Sequence, residues 1–188
     1  MSFKLPRTIR LDPSDTLVFA RAAAPGDWAV SGAFMFAGRG LESLSAKERI
    51  AFRGGFLGVA SLGWSTLVVV SPARADERDA AVAALARRLR ENFGAPDDAS
   101  ARTAAQEEID FAASLCGHPE GTLLGVHRVM DEGGIREQFR SLQKRAADPA
   151  RDRLHGHSRA FHFIDSDEEE AVERVDLAAL AKKTRGGL

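Results

Sequence analysis

Two consecutive segments with helical periodicity occupy the middle of the chain, over 77–93 and 100–116, and strand-like segments lie on both sides. Their apolar stripes consist of Val82, Leu85, Leu89 and Phe93 in the first segment and Ala105, Ile109, Ala112 and Cys116 in the second. Strands, then two helices, then strands are typical of an α+β fold. The sequence therefore predicts a mainly antiparallel sheet, built from N- and C-terminal strands and backed by two central helices. No break in composition divides the chain, so we expect a single domain over 1–188, with a frayed tail at 184–188.

The strands are predicted from short apolar runs bounded by glycine and proline. The N-terminal third has three such runs, at 8–11, 16–21 and 28–36, and the last two flank the turn at Pro25, Gly26 and Asp27. A second hairpin is predicted from 55–61 and 64–71, and its segment 66–70 is apolar on both faces, as in a central strand. The C-terminal half predicts a hairpin from 122–130 and 135–142, and a further strand at 158–164.

Helix boundaries follow from capping residues. Ser45 and Glu48 have the spacing of a capping box, which predicts a short helix within 43–52. Asp76 is the predicted N-cap of the first long helix, and Gly94 is its predicted end. The polar segment 144–154 is predicted to be a loop or an irregular helix, and the acidic run at 165–170 is predicted to lead into a last helix ending near 183.

Charge and cysteine content exclude several classes of protein. The chain has 26 basic and 27 acidic residues, so it offers no electrostatic basis for binding nucleic acid or an anionic membrane. Its longest apolar run is too short to span a bilayer, and its N-terminus lacks the pattern of a secretory signal. A single cysteine fits a reducing compartment, and frequent alanine and arginine are typical of GC-rich bacteria. We therefore expect a cytoplasmic bacterial protein.

Histidines form the main candidate site. His155 and His157 would share one face of an extended segment, and His-x-His pairs are frequent metal ligands. A third ligand would have to come from His162 or from His127, whose strand is a candidate neighbour of 158–164. Zinc or another transition metal bound there would make the protein a metal-binding protein or a metallohydrolase. The alternative is that these imidazoles lie on the surface around a loop.

Other candidate motifs favour structural roles. Cys116 lies two residues before His118, but it also continues the apolar stripe of its helix, so a buried structural thiol is the better interpretation. The glycines at 54, 55 and 58 lack the spacing of a dinucleotide or phosphate loop. A close approach of one backbone to another explains them equally well.

Two stretches, RTIRLDPSDTLVFARAAAPGDWAVSGAFMF and LCGHPEGTLLGVHR, resemble those of a small bacterial family without assigned chemistry. The resemblance covers most of the chain and assigns no role to any residue. It implies a connection with the assembly of cofactors or metalloenzymes.

Three functions are left open by the sequence. We favour a non-enzymatic accessory or binding protein that self-associates and docks to a protein partner through 118–162. For this function we expect no cofactor. The second is the histidine metal site. The third is a small-molecule-binding module with a pocket between sheet and helices, walled by Trp28 or Trp64.

Overall fold

The computed structural model describes residues 3–132, 134–144 and 161–165, the last segment and residues 143–144 by their backbone. The strands are β1 (Phe3–Thr8), β2 (Ala29–Val30), β3 (Phe56–Gly58), β4 (Trp64–Ser65), β5 (Leu67–Ala73), β6 (Leu123–Asp131), β7 (Gly134–Lys144) and β8 (Phe161–Asp165). The α-helices are α1 (Ser14–Val18), α2 (Ala46–Gly54), α3 (Ala75–Asn92) and α4 (Asp98–Ser114). Two short 3₁₀ helices cover Ala33–Phe36 and Leu41–Ser43.

The strands form two antiparallel sheets, which confirms the predicted α+β class. The larger sheet has the order β1-β5-β6-β7-β8, and the smaller has the order β2-β3-β4. N- and C-terminal strands therefore share one sheet, as predicted, and β5 lies inside it, as its two apolar faces indicated. The hairpin of β6 and β7 closes at the pair of Asp131 and Gly134, also as predicted.

The two central helices confirm the predicted stripes except at Phe93, which follows the end of α3 and is 38% exposed. The buried residues of α3 include Val82 and Leu85, and those of α4 include Ala105 and Ile109. These side chains pack in one apolar core with residues from β1 and α2. In the part of the chain that the structure describes, no helix is both long and apolar enough to cross a membrane.

Helix starts follow local hydrogen bonding. The capping box of α2 is present, because the Glu48 amide donates to the Ser45 hydroxyl at 3.3 Å and the Ser45 amide donates to the Glu48 carboxylate at 2.8 Å. The prediction for α3 was wrong by two residues. Its N-cap is Arg74, whose amide donates to the Glu77 carboxylate at 2.9 Å, and Asp76 lies in the first turn instead.

The predicted strand at 16–21 is wrong, because the chain forms α1 there. Local polar groups stabilise this turn: the Ser14 amide donates to Asp12 at 2.7 Å, and the Thr16 hydroxyl donates to the Pro13 carbonyl at 2.6 Å. Asp15 is buried and accepts a hydrogen bond from the Thr66 hydroxyl at 2.6 Å. A contact 51 residues away therefore fixes a segment whose own pattern favours a strand.

The predicted strand at 28–36 is reduced to the two residues of β2. Gly32 has φ of 80° and ends the extended segment, and Ala33–Phe36 form a 3₁₀ helix. The turn at Pro25, Gly26 and Asp27 exists, but it does not join two neighbouring strands. It lies at the end of β1, where the Gly26 amide donates to the Thr8 carbonyl at 2.8 Å. The first strand also covers Phe3–Thr8 rather than 8–11.

The last predicted strand is confirmed over β8, which pairs with β7. The predicted loop within 144–154, the acidic turn, the last helix and the tail lie outside the described residues, apart from Lys144 and Asp165 at strand ends.

Candidate ligand pocket

A cavity of about 610 Å³ lies between the 3₁₀ helix Ala33–Phe36, the C-terminal end of α3 and one face of α4. Most of the residues that line it are apolar, among them Phe34, Leu89, Phe93 and Ala104. Two carboxyl side chains, Glu107 and Glu108, also line it. Small-molecule sites in proteins typically have this size and this combination of an apolar wall with a few polar groups.

The two aromatic residues of the wall are brought together by two left-handed glycines. Gly32 turns the chain into the 3₁₀ helix that carries Phe34, and Gly94, with φ of 68°, follows Phe93 at the end of α3. The two rings meet edge to face, with centroids 5.6 Å apart. The connector after Gly94 is held by Arg90, which donates to the carbonyls of residues 95 and 96 at 2.9 and 2.8 Å.

Helix α4 supplies a continuous strip of the wall. The strip lies beside the stripe that faces the core, and its residues have helical spacing: Ser100, Ala104, Glu107 and Glu108. From Ser100 to Glu108 the helix rises by about 12 Å. The connector lies at the beginning of α4, so the strip runs from the apolar end of the cavity near residues 93–96 to an acidic end at 107–108.

Burial perturbs one of these carboxyls. Desolvation raises the pKa of Glu108 to about 7, and the negative charge of Glu137 adds to this effect. The positive charge of Arg128 acts in the opposite direction, and Glu107 raises the pKa slightly further. A carboxyl with this pKa changes its charge near neutral pH, which is a common property of functional sites.

A buried ion pair lies close enough to influence Glu108. Arg128 on β6 and Glu137 on β7 face each other across the hairpin, and the Arg128 Nε donates to the Glu137 carboxylate at 2.6 Å. The Arg128 side chain is fully buried, with 0% exposure, whereas that of Glu137 retains 16%. The guanidinium also donates to the carbonyls of Phe52 at 3.0 Å, Gly55 at 2.8 Å and Ser31. A buried charge with this many partners is a structural anchor.

This anchor reaches the pocket wall through Ser31. The Ser31 hydroxyl donates to the Glu137 carboxylate at 2.6 Å and accepts a hydrogen bond from the Ala33 amide at 3.2 Å. Ala33 is the first residue of the 3₁₀ helix that carries Phe34. The ion pair therefore connects the sheet, the end of α2 and the aromatic wall.

The predicted histidine site is only partly within the described residues. His155 and His157 lie outside them, so the metal site stays a prediction. His127 is exposed on β6, on the opposite face of the strand from Arg128. The expectation that its strand adjoins 158–164 is wrong, because β7 lies between β6 and β8.

The strand register limits how the remaining histidines can combine. His127 pairs with Gln138 of β7, and His162 pairs with Gln143 of the same strand. Their backbone positions are therefore two strands and five residues apart, roughly 19 Å. His127 and His162 are alternatives as third ligand and cannot both bind one ion. Among the residues with described side chains, no group of three or more His, Cys, Asp or Glu could hold a metal.

Other sequence candidates have structural surroundings. Cys116 is buried, and desolvation raises the pKa of its thiol to about 12, which confirms the structural interpretation. Close packing accounts for Gly55, where a Cβ would lie 2.9 Å from the Trp64 ring. The expected tryptophans do not line this cavity: Trp64 stacks on Phe36 with centroids 5.3 Å apart, and Trp28 packs under the Arg7 guanidinium.

The residues of this pocket were missed by the sequence analysis. Phe34 lay in a predicted strand, and Phe93 was assigned to the core stripe, although it is 38% exposed. Glu108 carried a detectable signal, because it adjoins Ile109 of the buried stripe and a helical projection puts it at the edge of the apolar face. Nothing local marks Arg128 as buried, since its partners are distant in the sequence.

Comparisons with known proteins give a family without a function. A search of the curated proteins and a search of the solved structures each found no match to this chain. The model of a family of unknown function, DUF6505, matches residues 1–160. That match covers most of the chain, and the protein therefore belongs to the DUF6505 family.

Proposed function

We propose that the protein is a non-enzymatic binding protein that holds a small molecule in the cavity between the 3₁₀ helix Ala33–Phe36, α3 and α4. The observation that carries the proposal is a cavity of about 610 Å³ that is lined mainly by apolar residues and has two carboxyls at one end. The buried ion pair supports it, because it fixes one wall of the cavity without a bound ligand.

The composition favours one cellular compartment for this role. A single cysteine and a near-neutral charge balance fit a protein of the bacterial cytoplasm that does not act on nucleic acid. A carrier or sensor of a small molecule in that compartment agrees with the accessory role in cofactor or metalloenzyme assembly that the family resemblance implied.

The proposal is tested by filling the cavity. Ala104 lines it, so Ala104→Trp puts an indole into the space, whereas Ala83→Trp puts the same group on an exposed position of α3. Both variants are first compared with the wild type by circular dichroism. A set of small fragments is then screened by ligand-observed NMR. We expect fragments that bind the wild type and Ala83→Trp to lose binding to Ala104→Trp.

Fragment binding that survives Ala104→Trp in a folded protein would contradict the proposal. If Ala104→Trp does not fold, Phe93→Ala replaces it. This variant removes an aromatic wall residue that is partly exposed, and it should weaken the same fragments.

Docking to a partner protein, with self-association, is the second candidate. Within the predicted region 118–162, Val129 on β6 is 41% exposed, and His127 lies on the same face of the strand. Val129→Asp should reduce self-association measured by multi-angle light scattering. Leu17→Asp, at an exposed leucine outside this region, serves as the control.

A further inference from the structure

We infer that the ligand of this pocket is an organic ammonium ion, with its charged group at Glu107 and Glu108 and its apolar body directed toward Phe34 and Phe93. This inference rests on the proposed function and names the chemical class that the cavity recognises.

The charge of the lining selects the sign of the ligand. Glu107 and Glu108 are acidic, and among the described residues that line the cavity there is no Lys, Arg or His. Arg128 is the cation that acts on Glu108, but its guanidinium is buried and bound to Glu137 and to backbone carbonyls. An anionic ligand would therefore meet two carboxyls without a compensating cation, whereas an ammonium ion would meet its counter-ions.

The apolar end suits the rest of such a molecule. Phe34 and Phe93 supply two rings at right angles to each other, and an aryl or alkyl group can pack against both of them. Leu89 and Ala104 extend this apolar wall. The strip of α4 from Ser100 to Glu108 is about 12 Å long, which fits an aryl or alkyl group joined to an amine by a chain of a few carbons.

The protonation of Glu108 gives the inference a distinctive pH dependence. Among the described residues, the charged groups that act on this carboxyl are Glu137 on β7, Arg128 on β6 and Glu107 on α4 itself. With a pKa of about 7, Glu108 is largely neutral at pH 5.5 and largely ionised at pH 8.5. An ammonium ion binds the ionised form, so its affinity should rise about thirtyfold between these two pH values, and at the lower pH Glu108 should release a proton when the ion binds.

The experiment uses three probes of one shape: 4-phenylbutylamine, 4-phenylbutanol and 4-phenylbutyrate. Their dissociation constants are measured by calorimetry or ligand-observed NMR at pH 5.5 and 8.5. For the wild type we expect the amine to bind at least tenfold more tightly than the alcohol at pH 8.5, and the carboxylate to bind most weakly. Only the affinity of the amine should show the thirtyfold rise with pH.

Glu108→Gln keeps the shape of the side chain and removes its charge. In this variant the amine should lose most of its advantage over the alcohol, together with the rise of its affinity between pH 5.5 and 8.5. Glu91→Gln is the matched control, because Glu91 is an exposed acid of α3 that does not line the cavity. It should behave as the wild type.

The outcomes separate this inference from the proposed function. If the alcohol or the carboxylate binds as tightly as the amine, and Ala104→Trp removes that binding, the pocket binds small molecules but does not select cations, and the inference is overturned. It is also overturned if none of the three probes binds, or if Glu108→Gln leaves the preference for the amine unchanged. The proposed function fails if the fragments of the wider screen bind folded Ala104→Trp, or Phe93→Ala where that variant replaces it, as tightly as they bind the wild type.

Discussion

Replacing Arg128 by methionine tests whether the buried ion pair anchors the fold. The substitution keeps an unbranched chain of similar length but removes the guanidinium. Glu137, which is 16% exposed, then loses its cation, and the carbonyls of Phe52, Gly55 and Ser31 lose a donor. Breaking a buried ion pair from one side costs about 3–5 kcal/mol, because an uncompensated charge stays behind. We expect a loss of about 4 kcal/mol in the free energy of unfolding.

Urea unfolding followed by circular dichroism measures this loss. With a slope of roughly 2 kcal/mol per molar urea, the midpoint should fall by about 2 M. The same hairpin supplies a matched control, because Arg136 forms an ion pair with Asp131 in which both side chains are exposed to solvent. Exposed pairs contribute about 1 kcal/mol or less, so Arg136→Met should lower the midpoint by no more than about 0.5 M.

The double variant Arg128→Met/Glu137→Gln separates the charge from the shape. Removing both charges leaves no buried ion without a partner, so the double variant should be more stable than the sum of the two single losses predicts, by roughly 1–3 kcal/mol. If Arg128→Met lowers the midpoint no more than Arg136→Met does, the ion pair is not an anchor. The account of the pocket wall would then fail with it.

Three further predictions concern single groups. Cys116 should react with a water-soluble disulfide reagent at pH 8 far more slowly in the folded protein than in urea, because the thiol is buried and its pKa is raised to about 12. Complete reaction of the folded protein within minutes would contradict this prediction. The free energy of unfolding should decrease as pH rises from 4.5 to 7, because the pKa of Glu108 is raised from 4.5 to about 7 and the unfolded chain therefore binds fewer protons than the folded chain in this window. Glu108→Gln should flatten this part of the curve of unfolding free energy against pH. A curve identical to that of the wild type would refute the raised pKa of Glu108. Elemental analysis of untagged protein should find no stoichiometric metal, whereas one equivalent of zinc, iron or nickel that disappears in His155→Ala/His157→Ala would favour the metalloprotein instead.

Local patterns in the sequence were sufficient for the regular elements. The stripes of α3 and α4, the capping box at Ser45 and the hairpin of β6 and β7 depend on residues within a few positions of one another, and these elements were predicted with small errors at their ends. The run at 66–70 also indicated its central position, because a strand covered on both faces has no polar side.

The tertiary structure decided the elements whose partners are distant. Asp15 holds α1 through Thr66, 51 residues away, against a local pattern that favours a strand. Gly32 ends β2 where a Cβ would lie 2.6 Å from the Cβ of Leu57, a clash that exists only after the sheet has formed. Without these contacts, the apolar runs at 16–21 and 28–36 have local patterns that favour strands.

The candidate site belongs entirely to this second group. By itself the sequence determined the class of fold, the two helices and the near-neutral charge. Periodicity depends only on residues close together in the chain, and net charge is a total over all residues. Only the folded chain brings Arg128 to the carbonyl of Ser31 across 97 positions, and only there do Phe34, Phe93 and Glu108 line one space. Burial and the pKa of a carboxyl depend on which residues surround it, and that is decided by packing between elements.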